Sequence, residues 1–211
     1  MPLHPKAVPM ERSDCFMTAA GTLPSRDLCG HHAPAVGDRF YVGPYPRRFY
    51  WDGTPDNSFS MTPGIYSYSY HMFDDGSVVV GGGADSYEGE DGELHFYDIM
   101  KVDPTGALDT TWALRTINYT GNQGYVSSIV ELDDGRSMFS GTIYAYGNVP
   151  TGHIVRTFAD GSLDPSFNTT IIRGYAHDIL EDDDGKLLAV GEFGVIGEPD
   201  TLYCIRLLTN G

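Results

Sequence analysis

The stretch Arg156-Thr-Phe-Ala-Asp-Gly-Ser-Leu-Asp-Pro-Ser-Phe167 decides how this chain folds, because the chain carries it more than once. Arg48-Phe-Tyr-Trp-Asp-Gly-Thr-Pro-Asp-Asn-Ser-Phe59 and Lys101-Val-Asp-Pro-Thr-Gly-Ala-Leu-Asp-Thr-Thr-Trp112 align with it without gaps. A fourth copy, Arg206-Leu-Leu-Thr-Asn-Gly211, supplies the first half of the motif. The turn glycines Gly53, Gly106, Gly161 and Gly211 are 53, 55 and 50 residues apart. Twelve positions recurring in step mark tandem repeats, each one supersecondary unit that buries its apolar face only against its neighbours.

A second frame runs between the copies. Gly37 to Gly43, Gly76 to Gly82, Gly135 to Gly141 and Gly185 to Gly191 share a Gly-x5-Gly spacing, and acidic runs precede the last three. Asp-Gly between apolar segments is a hairpin signal, since Gly takes positive φ freely and Asp tolerates it. β-rich runs at 66–73, 126–132 and 176–180 come before these turns, and a short apolar strand follows each. Each unit therefore reads as three or four antiparallel strands. Nothing shows sustained helical periodicity. The expected fold is all-β: tandem antiparallel sheets forming a β-propeller-like arrangement of about four blades, or part of a propeller. The units are expected at 37–59, 60–112, 113–167 and 168–211. Residues 1–36 do not repeat, hold five prolines, and are expected to form an extended N-terminal arm.

These hairpins and motifs resemble the delta-60 repeats of bacterial and phage-related proteins, a family of tandem repeats of about 55 residues. The resemblance covers residues 37–211. It implies a propeller-like domain, and it implies no active site, because the family carries no common catalytic residues.

The recurrent side chains are read first as packing groups. Phe59, Trp112 and Phe167 are expected to anchor the core between units, with a stacking platform for a sugar or a base as the sharper alternative. Arg48, Lys101 and Arg156 are each expected to pair with the Asp eight residues on, Asp56, Asp109 and Asp164, in every unit; Arg206 heads the fourth copy. Such pairs would fix register more than they add stability. The stretch 85–93 is read as a long acidic loop, and its carboxylates Asp85, Glu88, Glu90, Asp91 and Glu93 are the candidates for a calcium ion. Their spacing is not that of an EF-hand, and a solvated loop is the simpler expectation. No catalytic set emerges: no nucleophile elbow, no P-loop, and histidines scattered across units.

Composition narrows the partners. Acidic residues outnumber basic ones, 29 to 13, for a net charge of −16, which disfavours nucleic acid and anionic membranes as partners. The 41% hydrophobic and 12% aromatic content is too rich for a disordered chain. No apolar run is long enough to span a bilayer. Of the three cysteines, Cys15 and Cys29 are near enough in sequence for a local disulfide, and three reduced thiols is the expectation. No apolar leader precedes the repeats, which points to a virion or an extracellular surface, with the cytoplasm as the alternative. The expected function is a non-enzymatic structural and binding module of a larger assembly, such as a phage tail or fibre component attached through its arm. Its partners would be protein subunits and a surface glycan receptor. The alternatives are a metal-dependent propeller hydrolase of lactonase type, and a glycan-binding adhesin fragment using a Tyr-rich loop at 66–70.

Overall fold

The computed structural model describes residues 27–28, 31–32, 35–36, 39–42, 46–61, 67–88, 94–113, 117, 124–182 and 185–211. All regular structure among them is extended. The strands are β1 (Asp27–Leu28), β2 (His31–His32), β3 (Ala35–Val36), β4 (Arg39–Val42), β5 (Arg47–Tyr50), β6 (Ser67–Met72), β7 (Val78–Glu88) and β8 (Leu94–Val102). They continue with β9 (Tyr125–Glu131), β10 (Ser137–Thr142), β11 (Ala145–Tyr146), β12 (Val149–Pro150), β13 (Ile154–Thr157), β14 (Ile171–Glu181), β15 (Leu187–Val195) and β16 (Leu202–Leu207). Four antiparallel three-stranded sheets follow in chain order: β3-β4-β5, β6-β7-β8, β9-β10-β13 and β14-β15-β16. The small pairs β1-β2 and β11-β12 accompany them.

The turns explain the punctuation. After each third strand, and between the first two strands of the later sheets, one hydrogen-bond pattern recurs. Phe158 N–H donates to Ser162 O and Gly161 N–H to Phe158 O, both at 2.9 Å, and Leu132 to Gly135 repeats the scheme. This is the three-residue hairpin in which glycine alone is left-handed. Gly53, Gly76, Gly106, Gly135, Gly161 and Gly185 have φ between +71° and +94°, whereas Asp52, Asp75, Thr105, Asp134 and Asp160, before the first five, do not take positive φ. The Asp contributes by accepting locally: Asp160 Oδ1 takes the Ser162 amide at 2.9 Å and hydroxyl at 2.6 Å.

Among the described residues each of the four sheets has three strands, and the first three units add a single bridge beyond the last turn, at Phe49–Pro55, Val102–Leu108 and Thr157–Leu163. The first sheet begins at Ala35, inside the stretch read as an arm. The expected loop at 85–93 is also shorter than the sequence suggested. β7 runs on to Glu88, and β8 restarts at Leu94 in register with it after a bulge between Gly81 and Asp85.

The core lies between sheets. Tyr41 and Phe59 of the first sheet's unit pack on Tyr70, Met72, Val78, Val80, Met100 and Val102 of the second. Val79, Ile99 and Trp112 pack on Val126, Ile129, Phe139 and Val155 of the third. Met138, Ile154 and Phe167 pack on Ile179, Leu187, Ala189, Phe193 and Leu207 of the fourth. Alternation along the strands produces this: Val79 and Val80, or Met138 and Phe139, face opposite neighbours. Sheets stacked face to face in chain order are the architecture of a propeller, of which the described residues form an open part.

Candidate functional site

The recurrent motif builds a joint between one sheet and the next. Its head sits on the third strand, and the main chain folds back, so that Asp56 N–H donates to Arg48 O, Asp109 N–H to Lys101 O and Asp164 N–H to Arg156 O, each at 2.9 Å. This brings the head side chain to the Asp in two units. Arg48 Nε donates to Asp56 Oδ2 at 2.8 Å, and Arg156 Nε to Asp164 Oδ2 at 2.8 Å. Ser58 and Ser166 complete each site, giving amide and hydroxyl to the other carboxylate oxygen and accepting Arg Nη2 at 3.0 Å. All four charged partners are buried.

The remaining guanidinium nitrogen crosses to the next unit. Arg48 Nη1 donates to Pro104 O at 2.8 Å, and Arg156 Nη1 donates to Thr209 O. Pro104 and Thr209 hold the same motif position, three residues after the following head. A backbone bond repeats beside it: Ser60 N–H to Thr105 O, Ala113 N–H to Asp160 O and Asn168 N–H to Asn210 O, all at 2.9 Å. The aromatic residue just before each of these donors is buried in the joint. The guanidinium carbons of Arg48 and Arg156 stand 5.0 and 4.8 Å from the centroids of Phe59 and Phe167. Trp112 lies flat against the turn of the third unit, and a Cβ on Gly161 would come within 2.4 Å of its ring. The aromatic positions are therefore core anchors and offer no open face to a sugar or base.

The second unit departs from the expectation of a pair in every unit. No hydrogen bond or ion pair joins Lys101 to Asp109. The Lys101 ammonium stands 4.7 Å from the centroid of Phe73, and Asp109 accepts from the Thr111 hydroxyl at 2.6 Å and amide at 2.9 Å. A lysine has no fork with which to hold a carboxylate and reach a second acceptor. In the fourth unit Arg206 pairs with Asp182 at the sheet's own hairpin.

Sequence reasoning missed a second base on each buried Asp. Arg39 Nε lies 2.8 Å from Asp56 Oδ2, and Arg136 Nη1 donates to Asp164 Oδ2 at 2.8 Å. Arg39 pairs in register with Tyr50, two residues after the head; Arg136 precedes Ser137, whose partner is Thr157, so it stands at the matching position. Their electrostatics are consistent. Burial alone would raise the Asp164 carboxyl, but the Ser166 hydroxyl and amide and the guanidiniums of Arg136 and Arg156 outweigh it and hold it well below the usual range. Asp56 is lowered in the same way: burial works against it, and Ser58 and Arg48 prevail.

The other candidates divide. Asp85 and Glu88 stand on β7, while Glu90, Asp91 and Glu93 lie outside the described residues. Among the described residues no group of three or more His, Cys, Asp or Glu is placed to hold a metal ion. Cys15 and Cys29 lie outside the described residues, and Cys204 is an exposed free thiol. The expected Tyr-rich loop is a strand. Tyr70 is buried in it, donates to Tyr41 O at 3.0 Å, and has its hydroxyl pushed up to about 12 by burial, while Tyr68 stacks beside Tyr125 at 5.6 Å. An open cleft of about 340 Å³ lies where the third and fourth units meet, lined by Val149, Pro150, Asp164, Phe167, Thr169 and Ile171. Its one charged lining group, Asp164, is already held by two arginines.

With this geometry in place, the chain can be set beside known protein families. A family model described as a domain of unknown function (DUF5122) beta-propeller matches residues 132–167 and 183–211. The two windows cover corresponding parts of the third and fourth units, from the hairpin to the motif. The match agrees with the sheet architecture, and the chain carries β-propeller-type repeats. No curated protein matches the chain.

Proposed function

We propose that this propeller chain, with repeats of the delta-60 type, is a non-enzymatic structural and binding module of a larger assembly of the virion or cell-surface kind. One observation carries the reading. The buried charged residues of the motif, Arg48, Asp56, Arg156 and Asp164, are committed to holding one sheet to the next. A propeller hydrolase would instead aim carboxylates from several blades at a shared cavity. Here Asp56 and Asp164 turn into the joints, each held by a serine and two arginines, and Asp109 is held locally by Thr111. The charge of −16 favours solubility and repels nucleic acid. Partners would be other protein subunits, with a surface glycan as the receptor class for the variable excursions.

Two measurements test this. Calcium and zinc titration by calorimetry, together with turnover of lactone and aryl-glycoside substrates, is expected to give neither saturable heat nor metal-dependent hydrolysis. Saturable binding with turnover would favour the hydrolase. The mass of the native particle carrying the chain is expected to exceed that of the free chain several-fold; a free single chain would favour the adhesin fragment.

A further inference from the structure

One face of the fourth sheet has no neighbour among the described residues. Register places Leu180, Leu188 and Arg206 in one row across β14, β15 and β16, and Val190 opposite Cys204 in the next. In the third sheet the corresponding rows are Val130, Met138 and Arg156, with Ser140 opposite Ile154. There Met138 and Ile154 are buried beneath the fourth sheet. In the second sheet Val79 and Ile99 hold the same places and are buried beneath the third. In the fourth, Leu180 is 51% and Val190 39% exposed, and Cys204 is exposed as well. A sheet face with this apolar content is out of keeping with a solvated surface.

The other half of such a joint stands at the opposite end of the molecule. A Cβ placed on Gly106, Gly161 or Gly211 would strike Ser60, Trp112 or Asn168, at or just past the end of the preceding motif copy, at 2.5, 2.4 and 2.2 Å. On Gly53, at the same motif position in the first unit, it meets nothing within 4 Å. The following strand position tells the same story: Val102 and Leu207 are buried against the preceding unit and Thr157 is fully buried, whereas Phe49 is half-buried.

We propose that the outward face of the fourth sheet, centred on Leu180, Leu188 and Val190, is a docking surface for the first sheet of a second copy of this chain. The contact repeats the joint that links consecutive sheets inside one chain. That continuity names the occupant, because three internal joints show what covers this face: the incoming side of another unit. Among the described residues of the 211-residue chain one outgoing and one incoming face stand uncovered, so the contact is heterologous, and two copies of this chain bring eight sheets together, within the range of ~4–8 blades in closed propellers. Arg206 stands where Arg48 and Arg156 stand, at the position that reaches the next sheet's turn. The inference concerns assembly alone and holds whether or not the module proves catalytic.

The test uses the 211-residue chain. Sedimentation at micromolar concentration is expected to show a two-chain species, with Cys204 protected from a thiol reagent when labelling is followed peptide by peptide. Val190→Glu and Leu180→Lys, at exposed positions, are expected to give single chains with loss of Cys204 protection and cooperative unfolding intact. Phe49→Glu on the first sheet is expected to unmask Cys204 in the same way. Trp51→Glu, at a 39% exposed site in the same turn, serves should Phe49→Glu fail to fold. A single wild-type chain at the highest soluble concentration overturns the proposal. So does a two-chain species in which the first-sheet variants leave Cys204 protected, since that would be fourth sheet against fourth sheet.

Discussion

Asp164 shows how much one side chain carries in this molecule. Its carboxylate accepts from Arg136, Arg156 and Ser166 in a buried setting, and Arg156 in turn reaches Thr209 O and the ring of Phe167. Asp164→Asn would leave Arg156 buried without its countercharge, at a cost of ~3–5 kcal/mol in chemical denaturation. The depressed carboxyl also makes stability depend on acid. Its contribution is complete above the unfolded value of ~3.9 and is lost as pH falls towards the lower native value. Melting temperature is therefore expected to drop steeply below pH 4, and the Asn variant to show a shallower acid limb. A second titration sits at His153, the one described non-glycine residue with positive φ, at 68°. Its ring is buried against Tyr144, and burial lowers its pKa. The neutral ring is the native form, so this contribution is present above ~6.5 and is lost as pH falls below it. His153→Asn tolerates the left-handed backbone and is expected to flatten the melting temperature between pH 7 and 5.

At the scale of elements, the sequence was most legible where turn chemistry repeats. The hairpins after Phe73, Leu132 and Asp182 fall where acidic residues and glycine announced them, because only glycine takes the left-handed corner without strain. The first unit was harder. Aligning Gly37 with Gly135 sets Phe40 against Met138, but the register sets Tyr41 opposite Arg48 as Met138 is opposite Arg156. The glycine frame is therefore one residue out of step there, and a slip of one moves every side chain to the other face. β7 and β8 were also underestimated, because charged residues near Asp85 resemble a loop until a partner strand is available to pair with them. Lys101 shows the reverse error: the motif predicted a pair, and a side chain with no second arm could not make the same joint. Lys101→Arg is expected to form an ion pair with Asp109 and raise the free energy of unfolding, read by chemical denaturation, by up to ~1 kcal/mol, since that Asp is only half-buried. Unchanged stability would mean the second joint is held by Trp112, the Ala113–Asp160 backbone bond and the packed core, with no gain from a charge pair.

Across the whole molecule, the repeats predicted sheet order, but the sequence alone did not show that the motif's polar residues join units rather than close them individually. The long-range partners, Pro104 for Arg48 and Thr209 for Arg156, are backbone carbonyls, and no side-chain identity marks a carbonyl in advance. The same reason hid the donors at Ser60, Ala113 and Asn168. Joints of this kind make stability a sum of units and interfaces, so damage at one joint should be felt at its neighbours and less beyond them. The most direct test compares two glycines at the same motif position and similar φ, +84° at Gly53 and +94° at Gly106. In the Val190→Glu background, where chains are single, Gly53→Ala is expected to cost only the backbone strain of ~1 kcal/mol. Gly106→Ala must also displace Ser60 from a 2.5 Å approach, and its unfolding midpoint is expected to fall by clearly more. Equal losses at the two positions would contradict the account, because the motif would then be a turn and no more.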